Sequence, residues 1–201
     1  MSALIKLDSD GRASVVGAAE ATRVEATPRV IEGGRGDARL ATYVKKPPPA
    51  GARERDWRED GFIPLTDWLA GDRAAPPILL PADDPAALAD HIADFDVIAV
   101  AFPKFNDGRG LSSAALLRRL GYAGELRAVG DIARDQLFFM ARCGFNAFAL
   151  RADQDPADAL KAFDDFGDVY QHSTDGRTPA FARRAEAVRD AEAWLARRDG
   201  S

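Results

Sequence analysis

Cysteine is nearly absent from this chain: Cys143 is the single one in 201 residues. One cysteine cannot form an intramolecular disulfide, and it excludes a four-cysteine zinc or iron–sulfur centre built by one chain. Histidine is almost as scarce. His91 and His172 lie far apart and match no metal-ligand spacing, so no metal site is expected. Positive charge is not in excess either. The formal net charge is −5, which argues against a broad nucleic-acid footprint and leaves room only for a local basic pocket. Long apolar runs are missing. The longest, Val97 to Phe102, is far shorter than the roughly 20 residues that span a bilayer. The N-terminus shows no apolar signal-peptide core. A cytoplasmic protein without membrane or nucleic-acid partners is the expectation.

What is present fits one folded domain with appendages. Residues 1–55 stand apart: Gly33-Gly34-Arg35-Gly36 and Lys45-Lys46-Pro47-Pro48-Pro49 break any regular pattern. The proline run reads as a stiff spacer. Short strands are expected near Val15-Val16 and over Ala41 to Val44, within a poorly ordered or weakly packed extension. A single α/β domain is expected over 56–201.

From Trp57 onward the signals alternate. Phe62 to Leu65 with Trp68-Leu69 reads as a lead-in and a short helix, and Ile78 to Leu80 as a buried strand. Asp84-Pro85 opens a helix, with aspartate as N-cap and proline at the first position. Val97 to Phe102 is apolar throughout, as a strand covered on both faces must be. A helix follows from Ser112, a strand over Glu125 to Gly130, a helix over 132–143 and a strand from Phe145 to Leu150. Asp155-Pro156 opens another helix. Asp168 to Gln171 reads as a fifth strand, and a last helix runs from Pro179 to Arg198. The stretches Leu80 to Val97 and Arg151 to Val169 echo one another as strand, Asp-Pro helix, strand. Shared capping chemistry explains this without duplication. About five mostly parallel strands alternating with helices imply a doubly wound α/β sheet or, alternatively, a partial β/α barrel.

Ligands of open parallel sheets bind beyond the carboxyl ends of the strands. Two neighbouring ends here carry charged loops. The first holds Lys104, Asp107, Gly108, Arg109, Gly110 and Ser112, and the second Asp131, Arg134, Asp135 and Gln136. Asp107, Asp131 and Asp135 are the candidate catalytic carboxylates. Lys104, Arg109 and Arg134 can bind an oxyanion, helped by Gly108, Gly110 and helix-start N–H groups capped by Ser112. Asp107 can equally pair with Arg109, and Asp131 can serve as an N-cap. Arg134 at a positive helix end needs Asp131, Asp135 or a ligand. Gln136 is a ligand contact or a satisfied core amide. Arg127 lies within a buried strand, so it requires a carboxylate, a bound anion or an edge position. Cys143, just before a helix-ending Gly144, reads as a small core residue. His172 is a loop residue near the last strand, and His91 an ordinary helix residue.

The stretch Phe95 to Gly110, then Leu117-Arg118, Gly121 to Asp131, and Arg134 to Leu137 through Arg142 to Phe145 resembles an uncharacterised bacterial family associated with sulfite reduction. The resemblance covers roughly residues 57–172. It implies an oxidoreductase or accessory protein of sulfur assimilation, with sulfite reductase or phosphoadenylylsulfate reductase as partners. It transfers no catalytic residue and no cofactor. A non-catalytic scaffold for a redox enzyme is a second reading. A nicotinamide-dependent dehydrogenase is a third, since Gly108-Arg109-Gly110 follows a strand and Asp131 ends the next one. Ser113 at the third glycine position and the long loop weigh against it.

Overall fold

The computed structural model describes residues 3–16 and 61–199, without the side chains of 193–199. The breaker-rich stretch 33–36, the strand expected at 41–44, the proline run 45–49 and Trp57 lie outside the described residues. The strands are β1 (Leu4–Leu7), β2 (Ala13–Val16), β3 (Ile63–Pro64), β4 (Pro77–Leu79), β5 (Val97–Phe102), β6 (Glu125–Gly130) and β7 (Ala147–Ala149). They form one open sheet in the order β2-β1-β7-β6-β5-β4-β3. The strands from β3 to β7 run parallel, and β1 joins antiparallel to both β2 and β7.

The α/β class and the largely parallel sheet are as expected, and among the described residues the helical segments of the core pack against one face. The five parallel strands follow one another in chain order. Right-handed crossovers that always step the same way leave their helices on one side. The main core shows this. Leu79, Ile98, Val100, Phe102, Leu126, Ala128 and Phe148 from the strands meet Leu65, Trp68, Leu88, Ala114, Leu117, Leu137, Met140 and Leu160 from the helical segments. The alternate strand residues Ile78, Ala99, Ala101, Val129 and Ala149 form a second cluster with Phe62. The expected mostly parallel α/β architecture is met as an open sheet that does not close into a barrel.

Helices α1 (Leu65–Leu69), α2 (Arg109–Arg119), α3 (Leu137–Arg142), α4 (Pro156–Leu160) and α5 (Ala180–Asp199) fill the crossovers and the C-terminus. The Asp-Pro signals act as expected: Asp84 accepts the N–H of Ala86 and Asp155 that of Ala157. The first opens a 3-10 helix, Pro85–Asp94, and the second opens α4. The helix expected over 132–143 divides into a 3-10 turn, Arg134–Gln136, and α3. Gly144 follows α3 with φ +109, a conformation an L side chain rarely adopts.

Two expectations fail. Asp168 to Gln171 forms no strand, because β1 already pairs with the outer edge of β7 where it would have to add. The fifth parallel strand is instead Ile63–Pro64, expected to be only a lead-in. Of the extension, residues 3–16 are described: β1 and β2 join the sheet, and Ile5 is 0% exposed.

Candidate functional site

The loops after β5, β6 and β7 meet at the carboxyl ends of the strands. β5 and β6 stay in register to their last residues, Phe102 and Gly130. The two strand ends pinch there. A Cβ on Gly130 would lie 2.3 Å from the Phe102 carbonyl oxygen. The next N–H, of Asp131, donates to that oxygen at 2.7 Å.

Asp131 does not cap the following helix. Its carboxylate accepts the Phe105 N–H at 2.9 Å and Arg151 Nη1 at 2.6 Å. Gln136 completes the hold: its Nε2 donates to the Phe105 carbonyl at 2.9 Å, while its Oε1 accepts the Ala133 N–H at 3.1 Å. Both backbone polar groups of Phe105 are thus fixed by the neighbouring loop. Arg151 is itself gripped by Asp153, with Nε and Nη2 donating at 2.9 and 2.8 Å. The Asp153 bond raises the Arg151 pKa, with Asp131 adding to it, and Arg151 holds the Asp153 carboxyl below the usual range. The result is a continuous chain from Asp153 through Arg151 and Asp131 to the loop after β5.

The other charges are also paired. Arg109 Nε and Nη2 donate to the two Asp107 oxygens at 2.9 and 2.7 Å. That pairing lowers the Asp107 pKa and raises that of Arg109. Asp107 additionally accepts the Arg109 N–H at 3.2 Å. It therefore takes the capping role expected of Ser112, which lies inside α2 because the helix begins at Arg109. Gly110 is buried against Phe102 and Val100, where a Cβ would clash, so it serves packing. Gly108 precedes α2 with no side-chain cap. Lys104 is exposed and makes no ion pair among the described residues.

Arg134 is held by neither Asp131 nor Asp135. Nη1 and Nη2 donate to Asp165 at 2.8 and 2.9 Å, and Nε lies 3.2 Å from an Asp158 oxygen. Its pKa rises chiefly through the Asp165 hydrogen bonds. Asp135 is exposed and acts on Arg134 only through its charge. Arg127 lies in β6, between β5 and β7, not on an edge. It pairs with Glu125 at 2.5 Å, and Glu125 also meets Lys6 at 2.5 Å. These three sit within the strands, away from the strand-end loops. Cys143 is buried, and burial raises its thiol pKa, favouring the protonated form. His91 contacts Asp94 and the Trp68 ring, and His172 the Phe181 ring. No group of three or more metal-ligating side chains converges among the described residues.

Sequence reasoning assigned no site role to Arg151, Asp153 and Asp165. Arg151 was within reach of it, since it follows β7 as Asp131 follows β6. Chemically, the site is a set of mutually committed charges around one fixed loop. Phe166, next in sequence to Asp165, is 60% exposed with its ring tilted 5.1 Å from that of Phe138, and Phe139 on α3 is 51% exposed.

A family profile described as a bacterial protein of unknown function (DUF934) matches residues 78–181, from β4 to the start of α5. No curated protein and no solved structure matches the chain.

Proposed function

The chain belongs to the DUF934 family of bacterial proteins, and from that premise we propose that it is a non-catalytic accessory protein of sulfite reduction. Its carboxyl-end surface would dock a redox partner, sulfite reductase or phosphoadenylylsulfate reductase. The observation that carries this reading is the use made of the charges. Arg109, Arg134 and Arg151 each give a two-pronged grip to a carboxylate of the same chain. Asp131 and Gln136 spend their hydrogen bonds on the backbone of Phe105. Guanidinium forks committed this way fix shape, and a surface already fixed loses little entropy on binding. Exposed aromatic side chains such as Phe139 and Phe166 are the residue type enriched at protein interfaces. The choice of pathway rests on the sequence resemblance of residues 95–145.

Binding of the purified protein to each of the two purified reductases tests the proposal. The intact chain is expected to bind one of them, and Phe139→Glu to weaken that binding at least about tenfold, since an interface aromatic is worth up to several kcal/mol. Binding to neither, or equal binding by the variant, would overturn it. Lys104 favours a second reading, oxyanion capture at the start of α2, because it has no ion-pair partner among the described residues. Calorimetric titration with sulfite distinguishes that reading, which requires saturable binding lost in Lys104→Gln.

A further inference from the structure

A cleft of about 930 Å³ opens at the other end of the sheet. It lies between the β1–β2 turn, the end of α3 and the segment 174–177. Its volume is within the roughly 300–1,000 Å³ usual for small-molecule sites. The lining includes the half-buried apolar side chains of Leu7 and Phe163, with Phe145 and Leu160 buried in the core. It also carries two guanidinium groups whose surroundings are unusual.

Arg118 has no carboxylate within ion-pair distance among the described residues. Its Nε donates to the Gly144 carbonyl at 2.8 Å, and its Nη1 to those of Tyr122 and Gly124 at 2.7 and 3.0 Å. Nη2 has no acceptor among them. Arg142 is only 9% exposed. Its Nε donates to Asp175 at 3.0 Å and its Nη2 to the Gln171 carbonyl, which leaves Nη1 without a described acceptor. Buried donors are satisfied in the great majority of native structures, and charged ones are costly when they are not.

The carboxylates on the lining do not fill this need. Asp175 is engaged by Arg142. Asp8 accepts the N–H groups of Asp10 and Arg12, Asp10 lies 3.7 Å from Arg12, and Asp164 is exposed. Lys161 and Arg177 also line the cleft, the first 3.3 Å from an Asp158 oxygen and the second 3.9 Å from one of Asp175. Two partly satisfied guanidiniums in a cleft that also has apolar lining form a recognisable pattern: the charged groups take an oxyanion, the apolar ones a hydrophobic body.

We propose that this cleft is a binding site for a small organic anion, its oxyanion held by Arg118 Nη2 and Arg142 Nη1 and its apolar body lying on Leu7 and Phe163. The site is at the amino ends of the strands and does not rest on the docking reading, although Phe138 of its lining packs against Phe166.

Fluorescence titration with anilinonaphthalene sulfonate, an aromatic body bearing one oxyanion, is the first arm of the test. Calorimetric titration with inorganic sulfate is the second. Saturable binding of one equivalent of the dye, displaced by sulfate at higher concentration, is the expected result. Arg118→Lys keeps the charge but loses the fork, and is expected to weaken dye binding at least about tenfold. Should that variant fail to fold, Ala13→Glu places a carboxylate at the cleft without removing either guanidinium, and is expected to weaken binding by a similar factor. Non-saturable dye binding, or binding unchanged in the folded variant, would overturn the proposal. Binding of sulfate but not of the dye would overturn the role given to the apolar lining.

Discussion

Leu80 to Val97 and Leu150 to Val169 begin with the same local chemistry and end in different places. Each leaves a strand, turns on an aspartate, opens a short helix with a capped Asp-Pro and comes back to an Asp-Val pair. The first return becomes β5, with parallel partners on both sides. The second becomes a loop, fastened by Arg142, whose carbonyl accepts the hydroxyls of Ser173 and Thr174 and whose guanidinium binds Asp175. Strand formation at the second return was decided by a vacancy, not by propensity. The outer edge of β7 is held by β1, more than a hundred residues upstream in sequence. Local signals determine how a helix starts. Whether the next segment is a strand depends on who occupies the neighbouring edge.

The strongest way to break this difference is to loosen β1. Ile5 is fully buried and pairs with both Val15 and Phe148. Ile5→Ala is expected to cost about 3 kcal/mol of unfolding free energy, as other large-to-small core substitutions do. Denaturant titration measures the loss, and hydrogen exchange at Phe148 should quicken with it. An unchanged midpoint would mean that β1 is not what closes the sheet.

A finer test asks whether the two helix starts are equivalent. Asp84→Ala and Asp155→Ala each remove one capping bond, and each is expected to cost about 1 kcal/mol. Equal losses in thermal melts would establish that each cap acts independently of the returning segment downstream. Unequal losses would show that the fate of that segment feeds back on the helix.

The smallest effect separates the two units by charge. The second begins with Arg151 gripping Asp153. The first begins with Asp83 accepting the Leu80 N–H. Asp153 titrates below its ordinary value because of Arg151. A carboxyl depressed on folding contributes stability above its unfolded value of about 3.9 and loses that contribution as the pH falls through the folded value. The stability advantage of the wild type over Asp153→Asn is therefore expected to be full near about pH 6 and to close below about pH 4. An advantage that persisted undiminished at low pH would contradict the pairing.

The same contrast explains what was legible in the chain. The two Asp-Pro helix starts, the strands β5 and β6, the buried Cys143 and the glycine after α3 are local features, and all were readable. The two charged loops follow β5 and β6 directly, so their place at neighbouring strand ends was readable once those strands were. Partners were not readable. Arg134 finds Asp165, and Asp131 finds Phe105 and Arg151, across stretches of sequence no local rule bridges. The four-residue β1 carried too little pattern to be seen, although it decides the fate of Asp168 to Gln171. The one-sided placement of the helices was likewise a property of strand order, not of any segment.

The two flanks of the sheet carry a consequence for behaviour in concentrated solution. β2 has four residues and β3 only two, the second of which is Pro64. A proline has no N–H to offer a foreign strand, and two residues give too short a row of backbone groups to template one. A parallel β/α sheet that stops before closing ordinarily invites edge-to-edge stacking. Among the described residues each border is short, so self-association through these two strands should proceed through side chains and not through growth of the sheet.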